Sequence, residues 1–347
     1  MLPRLMKMVE SEMEVNGFTM NETPVVQYIE YPEIENFLHD ISYGGSLYKL
    51  FMNGNYAFRG HASDKYKLIP AALRPESRKR FNQFALSGDD EEQKDLEYIQ
   101  IIKENHILRD FYKMCDRHGL AIENIKRFRS SFLEKMDLQT LLTSEMWLPQ
   151  DLWTLAALAQ HYGLPTRLLD WTHDINVGLF FAVEDYLEGR TVPEGTEHIV
   201  VWALNLQPIT EPNEKDLPLK LVQPIYHGND NLTAQQGLFT LWQAKKNIDF
   251  KDGKMVADME TIVNRKPLDQ LLLNLRIKQD KLETPYLYGF MLPADSGKEI
   301  YRHIKSVGYD ASRIYPGYNG VVKSMAHDYY LNKEAIENCS VVMIARN

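Results

Sequence analysis

Two short stretches of this chain concentrate side chains that could do chemistry. The first, Gln160 to Thr172, reads Gln-His-Tyr-Gly-Leu-Pro-Thr-Arg-Leu-Leu-Asp-Trp-Thr and carries His161, Tyr162, Arg167, Asp170, Trp171 and Thr172. That is more hydrogen-bonding capacity than a core-packing turn needs. The second, Tyr56-Ala-Phe-Arg-Gly-His61, has the alternation of a short strand and ends so that Arg59 and His61 are delivered to one place. An Arg fork binds phosphate oxygens bidentately, and the adjacent Gly60 lets a ligand approach the backbone. The expectation is one polar cleft, with Arg59 and Arg167 facing the same recess.

Three chemistries are open to such a cleft. His61 and His161 could act as general base and acid in metal-free phosphodiester hydrolysis, with the two Arg residues balancing developing charge. Asp170, kept ionised by Arg167 and His161, could instead stabilise a cationic transition state. Without catalysis, Tyr162 and Trp171 could stack on a base while the Arg pair meets a phosphate and Thr172, Gln235 and Gln236 add polar contacts. A metal version could recruit Asp170, Asp174, His161 and His173, but no compact ligand motif is present and no metal is expected. The same residues have plainer roles: Asp170 and Arg167 as an internal ion pair, Trp171 as core, His161 as a helix-end residue suited to the dipole.

The elements that position these groups follow from periodicity. Leu152, Leu155, Ala156, Leu158 and Ala159 recur at helical spacing before the first stretch, and Gly163 supplies the positive-φ exit. Asp174 is placed to cap a following helix that buries Val177, Phe180, Phe181 and Val183. Strands are expected at Tyr56–Phe58, His198–Leu206, Gly237–Trp242, Tyr286–Leu292 and Ser340–Ala345. Helices are expected over Ile34–Ile41 and from Ser296-Gly-Lys-Glu299, a capping-box pattern, to Val307. Between Asp89 and His118 the stripe Leu96, Ile99, Lys103, Ile107, Phe111 and Met114 predicts a long helix, and a second is expected from Ile122 to Leu142. Residues 208–233 read as a surface loop. Helices and strands mix without regular βαβ alternation, so the fold class is α+β: a mixed sheet with packed helices and a helical insertion at about 85–148. Residues 1–25 read as a polar leader and 26–347 as a single domain.

The 347 residues carry a net charge of −9, which argues against large sequence-independent binding to nucleic acid while permitting a local basic cleft. Lys65, Lys67, Arg74, Arg78, Lys79 and Arg80 follow the Arg59 strand; of these, Arg74 lies between Pro70 and Pro75 in a loop and is the best candidate for anion contact. Two cysteines, Cys115 and Cys339, make no disulfide framework. With no apolar run long enough to span a bilayer, the expectation is a soluble cytoplasmic protein without membrane contact.

Phe58-Arg59-Gly60, the Gln160–Thr172 block, Gly178-Leu-Phe-Phe-Ala182, Ala234-Gln-Gln-Gly-Leu-Phe239, Gly289-Phe-Met-Leu-Pro293 and Tyr315-Pro-Gly-Tyr-Asn-Gly320 stand in the order of the FRG family. The chain resembles that family over roughly residues 45 to 330. The resemblance implies a bacterial protein with a role in stress or phage defence. A weaker resemblance, carried by Phe58-Arg59-Gly60 and Gly178–Ala182, is to ADP-ribosyltransferases. It implies NAD as cofactor and a late Glu beside the ribose. Here the late motif is Gln235-Gln236-Gly237 without a carboxylate, Glu260 and Glu283 are the remaining choices, and Asp170 is the substitute. The reading is a cleft for a phosphate-bearing nucleotide, with ADP-ribosyl transfer, phosphodiester hydrolysis and non-catalytic binding of a nucleotide or nucleic acid as its three forms.

Overall fold

The computed structural model describes residues 24–53, 55–84, 96–129, 146–210, 217–245, 247–251, 254–258, 265–274 and 284–344. Seven strands form the central sheet: β1 Val26–Glu30, β2 Tyr56–His61, β3 Leu168–Thr172, β4 His198–Asn205, β5 Leu219–Val222, β6 Gly237–Trp242 and β7 Leu287–Pro293. Their spatial order is β1-β7-β4-β2-β3-β6-β5. Only the edge pair β1 and β7 is parallel; the other neighbours are antiparallel. This is the expected α+β class with a mixed sheet.

Helices α1 Ile34–Ile41, α2 Ser46–Asn53, α3 Arg78–Gln83, α4 Leu96–Arg117, α5 Trp153–His161, α6 Ile175–Leu187, α7 Asp230–Ala234, α8 Gly297–Ser306, α9 Ala311–Ile314 and α10 Tyr318–Ile344 pack around the sheet. The apolar side chains divide into layers that follow the strands' period of two. Tyr56, Phe58, Val201, Phe290 and the buried faces of α6 and α8 form one cluster. Leu168, Phe239 and Leu241 join α5 and α4 in a second. The alternate residues Ala57, Trp171, Trp202 and Leu238 fill a third layer.

Strand β2 is the hinge of this arrangement. Towards β4 it is paired along its whole length, from Tyr56 opposite Asn205 to His61 opposite Val200. Towards β3 the register rests on a single pair, Phe58 opposite Thr172. Helix α6 crosses β2 at very short range: a Cβ placed on Gly60 would lie 2.1 Å from the Gly178 carbonyl oxygen and 2.4 Å from the Ala182 nitrogen. No residue but glycine fits there without moving the helix.

Several expectations need correction. The terminal Ser340–Ala345 strand is instead part of α10, which runs to Ile344; β propensity in Val-Val-Met-Ile yields to helical continuation. The 208–233 segment contains β5 and α7. Ser296 makes no side-chain cap bond, although α8 starts at Gly297 as expected. On α4 Lys103 and Ile107 of the expected stripe are buried and Phe111 packs against the second cluster, whereas Met114 is exposed. The buried surface is wider than the stripe and also takes in Gln100, Ile101, Glu104, Leu108 and Tyr112, with Glu104 turned inward to meet Arg167. Residues 1–23, and most of the helix expected from Ile122 to Leu142, lie outside the described residues.

Candidate functional site

The two polar stretches do converge. Where β2 and β3 stop pairing beyond Phe58 and Thr172, a recess of about 520 Å³ opens, lined by Arg59, Gly60, Arg74, Ser77, Gln160, His161, Asp170, Thr172 and Gln235 among its polar residues. Its apolar wall comes from both core clusters, with Phe58, Phe181 and Tyr315 on one side and Leu164, Leu232 and Phe239 on the other. The site thus lies at the seam between two helical layers.

Arg59 closes the bottom of that seam. Its Nη1 donates to the Asp170 carbonyl oxygen at 2.8 Å and lies 2.7 Å from Asp170 Oδ1, while its Nε donates to His61 Nε2 at 3.0 Å. A side chain thereby supplies the bond that a strand amide would make if β2 and β3 continued as a ladder. Among the described residues Arg59 Nη2 has no hydrogen bond, and Arg74 makes one, from Nε to the Ile69 carbonyl oxygen at 2.6 Å. Burial and then the neighbouring Arg59 charge lower the Arg74 pKa, with Asp170 opposing them. Arg74 stays protonated, since an Arg is not deprotonated in proteins. Among the described residues two cations therefore share the recess with one carboxylate.

Asp170 is 61% exposed at its side chain, but that surface opens into the recess with protein around it. Burial pushes its carboxyl up; the Arg59 guanidinium, by charge and hydrogen bond, overrides this and leaves the pKa below the ordinary value. Gln160 supports the group, donating to Asp170 Oδ1 at 3.4 Å and accepting from the Thr166 hydroxyl. Thr172 Oγ1 donates to the Gln235 carbonyl oxygen at 2.7 Å and accepts from the Asp174 amide at 3.0 Å, tying β3 to α7 and α6. Asp174 caps α6 as expected, accepting from the Asn176 amide at 2.9 Å. Gly163 has φ 89° and ends α5 beside the recess.

Other expected site residues fall elsewhere. Arg167 is 4% exposed and bidentate to Glu104 of α4, Nε to Oε2 at 2.5 Å and Nη2 to Oε1 at 2.8 Å. The Trp147 indole also donates to Glu104 Oε2 at 2.6 Å, and the guanidinium sits over the Trp147 ring. Arg167 thus fastens α4 to the sheet and does not face the recess of Arg59. Arg167 lies one residue before β3 begins at Leu168, where Glu104 of α4, itself held by Trp147 of the second cluster, claims both of its guanidinium donors.

His61 is 5% exposed and does not line the recess. Burial, then the Arg59 and Arg74 charges, hold its pKa well below the usual value. A neutral imidazole has one lone pair, and the charge-assisted bond from Arg59 takes it; the Trp202 indole approaches Nδ1 at 3.3 Å. His161 does line the recess, with its pKa lowered by burial. Tyr162 is 65% exposed outside it, its ring against His161. Trp171 is buried, its Nε1 donating to Thr240 Oγ1 at 2.9 Å, so it contributes an edge of the wall and no free stacking face. Gln235 lines the recess; Gln236, at φ 46°, is exposed beside it. Glu260 and Glu283 lie outside the described residues.

Sequence reasoning missed Ser77, Phe181, Phe239 and Tyr315 as recess-lining residues. The signal for Tyr315 is its place in the motif Tyr315-Pro-Gly-Tyr-Asn-Gly320. Among the described residues no group of three His, Cys, Asp or Glu side chains converges as a metal set, and no helix is long and apolar enough to cross a membrane.

No curated protein and no solved structure matches the chain. Residues 54–190 match the family model of the FRG domain, a span that begins just before β2 and ends just after α6. It therefore encloses Arg59, Arg74, His161 and Asp170, and the chain carries an FRG domain over those residues.

Proposed function

We propose that the recess binds a phosphate-bearing nucleotide. The observation that carries this reading is the pairing of Arg59 and Arg74 on one recess with Asp170 as the sole lining carboxylate, which leaves excess positive charge and unpartnered guanidinium nitrogens among the described residues. A phosphate or pyrophosphate is the group that such forks accept bidentately. Phe181, Phe239 and Tyr315 furnish the apolar and aromatic surface for a base, and Gln160, Ser77 and Gln235 furnish polar selectivity.

The two-histidine hydrolase finds less support, because His61 is buried, neutral and already an acceptor for Arg59. ADP-ribosyl transfer has one observation in its favour: Asp170 is ionised and lines the same recess. NAD fits this donor set through its pyrophosphate, which Arg59 and Arg74 would hold. Bound there, it would supply an electrophilic ribose carbon, and Asp170 would face that carbon's positive charge. The Arg59 ion pair weakens this role by neutralising the carboxylate. The reading therefore centres on nucleotide binding, with transfer as its catalytic form.

Titration with ADP, NAD and inorganic phosphate, followed by calorimetry and thermal melting, tests the site. A ligand at a hundred times its dissociation constant should stabilise the fold by about 2.7 kcal/mol. Loss of that stabilisation in Arg59→Ala and Arg74→Ala is the expected result. Absence of any binding, or binding indifferent to both substitutions, would overturn it. Nicotinamide release from NAD, abolished in Asp170→Asn, would establish the transferase form.

A further inference from the structure

Of the buried residues of α6, Glu184 alone is ionisable. A carboxylate taken out of water is costly unless charge and hydrogen bonds replace its hydration. Glu184 meets both requirements on one oxygen: Oε1 accepts from the Tyr315 hydroxyl at 2.7 Å and from Lys323 Nζ at 2.6 Å. Both partners come from beyond residue 190, where the family match ends, Tyr315 from the end of α9 and Lys323 from α10. Lys323 Nζ also reaches Glu188 Oε1 at 2.6 Å, so its charge does not depend on Glu184 alone. Apolar residues of similar volume often replace such a buried pair at no loss of stability. What the carboxylate adds here is a fixed direction for the tyrosine.

Tyr315 is restrained at its tip, its ring and its backbone. Glu184 fixes the hydroxyl, Lys323 Nζ stands 4.3 Å from the ring centroid, and the rings of Phe180 and Phe181 meet it edge-on with centroids at 6.1 and 6.5 Å. The preceding carbonyl, that of Ile314, accepts from Gln235 Nε2 at 3.4 Å. Tyr315, Phe181 and Gln235 all line the recess, whereas neither Glu184 nor Lys323 is among the described residues that do. Burial and then the Glu184 charge push the Tyr315 pKa upward, so the phenol remains a donor at neutral pH. An aromatic wall held in this way has little side-chain freedom left to lose when a ligand packs on it.

Resting on the nucleotide reading of the recess, we propose that Glu184 is a positioning residue for base recognition. Acting through Tyr315, with Lys323 as its countercharge, it presets the wall on which the base packs, so that the recess distinguishes a nucleotide from bare pyrophosphate. Arg59 and Arg74 hold the anion whichever of the two is bound, and the Glu184 network governs only what the base adds.

Calorimetric titration of the full chain with ADP and with inorganic pyrophosphate separates the two ends of the site, with thermal melting to show that each variant is folded. In Glu184→Ala the ADP dissociation constant should rise at least about fivefold, the scale of one weakened base–aromatic stack, while that of pyrophosphate changes less than about twofold. Glu184→Gln, whose amide oxygen still accepts from the Tyr315 hydroxyl, should bring ADP back to within about twofold of the wild type. Tyr315→Phe removes the donor, leaves the Glu184 and Lys323 pair in place and should reproduce the ADP loss, which decides the matter should Glu184→Ala fail to fold. Equal weakening of both ligands in these variants, ADP affinity unmoved by either, or no recovery in Glu184→Gln would overturn the positioning role and leave the anion site standing. A wild-type protein that binds neither ligand would overturn the nucleotide reading along with it.

Discussion

Arg59 and Asp170 are joined twice, by Nη1 to the Asp170 carbonyl oxygen at 2.8 Å and to Oδ1 at 2.7 Å. The first bond holds two strands together where their ladder has ended, and the second sets the charge of the recess. The two can be separated. Asp170→Asn keeps the backbone carbonyl and removes the countercharge, so phosphate-bearing ligands should bind about three- to tenfold more tightly, the scale of one nearby charge at a partly exposed site. Calorimetric titration reads this directly, and weaker binding would contradict the assignment of Asp170 as the anion's competitor.

Arg167→Ala should behave quite differently from Arg59→Ala. Removing one partner of a buried bidentate pair leaves Glu104 charged and unmatched, at a cost of about 3–5 kcal/mol. Denaturant unfolding should show that loss, whereas nucleotide affinity below the transition should change less than about twofold. A large affinity loss in a folded Arg167→Ala protein would return Arg167 to the site.

Acid sensitivity follows from His61. Its folded pKa is lowered, so below the unfolded value of about 6.5 the unfolded chain takes up a proton that the folded chain refuses. Stability is complete above that pH and falls as pH drops towards the folded pKa, by up to about 1.4 kcal/mol per pH unit for each such group. Burial shifts His161, His303 and His327 in the same sense. Asp170, also lowered, adds its loss only below about pH 4, as pH falls through its folded pKa. Melting temperatures from pH 7.5 to about 5 should decline less steeply in His61→Gln, whose amide oxygen can still accept from Arg59; an unchanged slope would exclude His61 as a contributor.

Gly60→Ala should be more damaging than Gly178→Ala, although the two residues touch. The added methyl meets the Gly178 carbonyl oxygen at 2.1 Å in the first case and the Phe58 Cβ at 3.1 Å in the second. Overpacking of this severity costs about 3 kcal/mol or more for Gly60→Ala, against about 1 kcal/mol for Gly178→Ala. Chemical denaturation of both variants checks the order.

Much of this architecture was legible before any coordinates. The α+β class, the strands around residues 58, 202, 240 and 290, the Asp174 cap and the Gly163 exit follow from local patterns that their surroundings do not oppose. The convergence of Arg59 with Asp170 and His161 was also legible, because motif glycines and clustered polar groups mark both stretches. What failed did so at long range. Arg167 could not be distinguished from Arg59 by type; only α4, carrying Glu104 from 63 residues upstream, decides that it is internal. The same ion pair brings Glu104 into the buried surface of α4, which the apolar stripe alone did not include. His61 was read as a free titrating group because burial by Trp202 across the sheet leaves no local signal. Arg74 was favoured for its place between two prolines, and it lines the recess with Arg59.

The near-contact of strand and helix at Gly60 has a consequence for how the Phe-Arg-Gly signature should be understood. Its three letters answer to different demands: the phenylalanine holds the single register pair with β3 and packs its ring into the core, the guanidinium meets the recess, and the missing side chain admits a crossing helix. Two thirds of the signature is thus architectural. A descendant sequence could exchange its ligand by changing the residue opposite the cation, at position 74 or 170, and still be spelled the same way in the three places by which it is recognised.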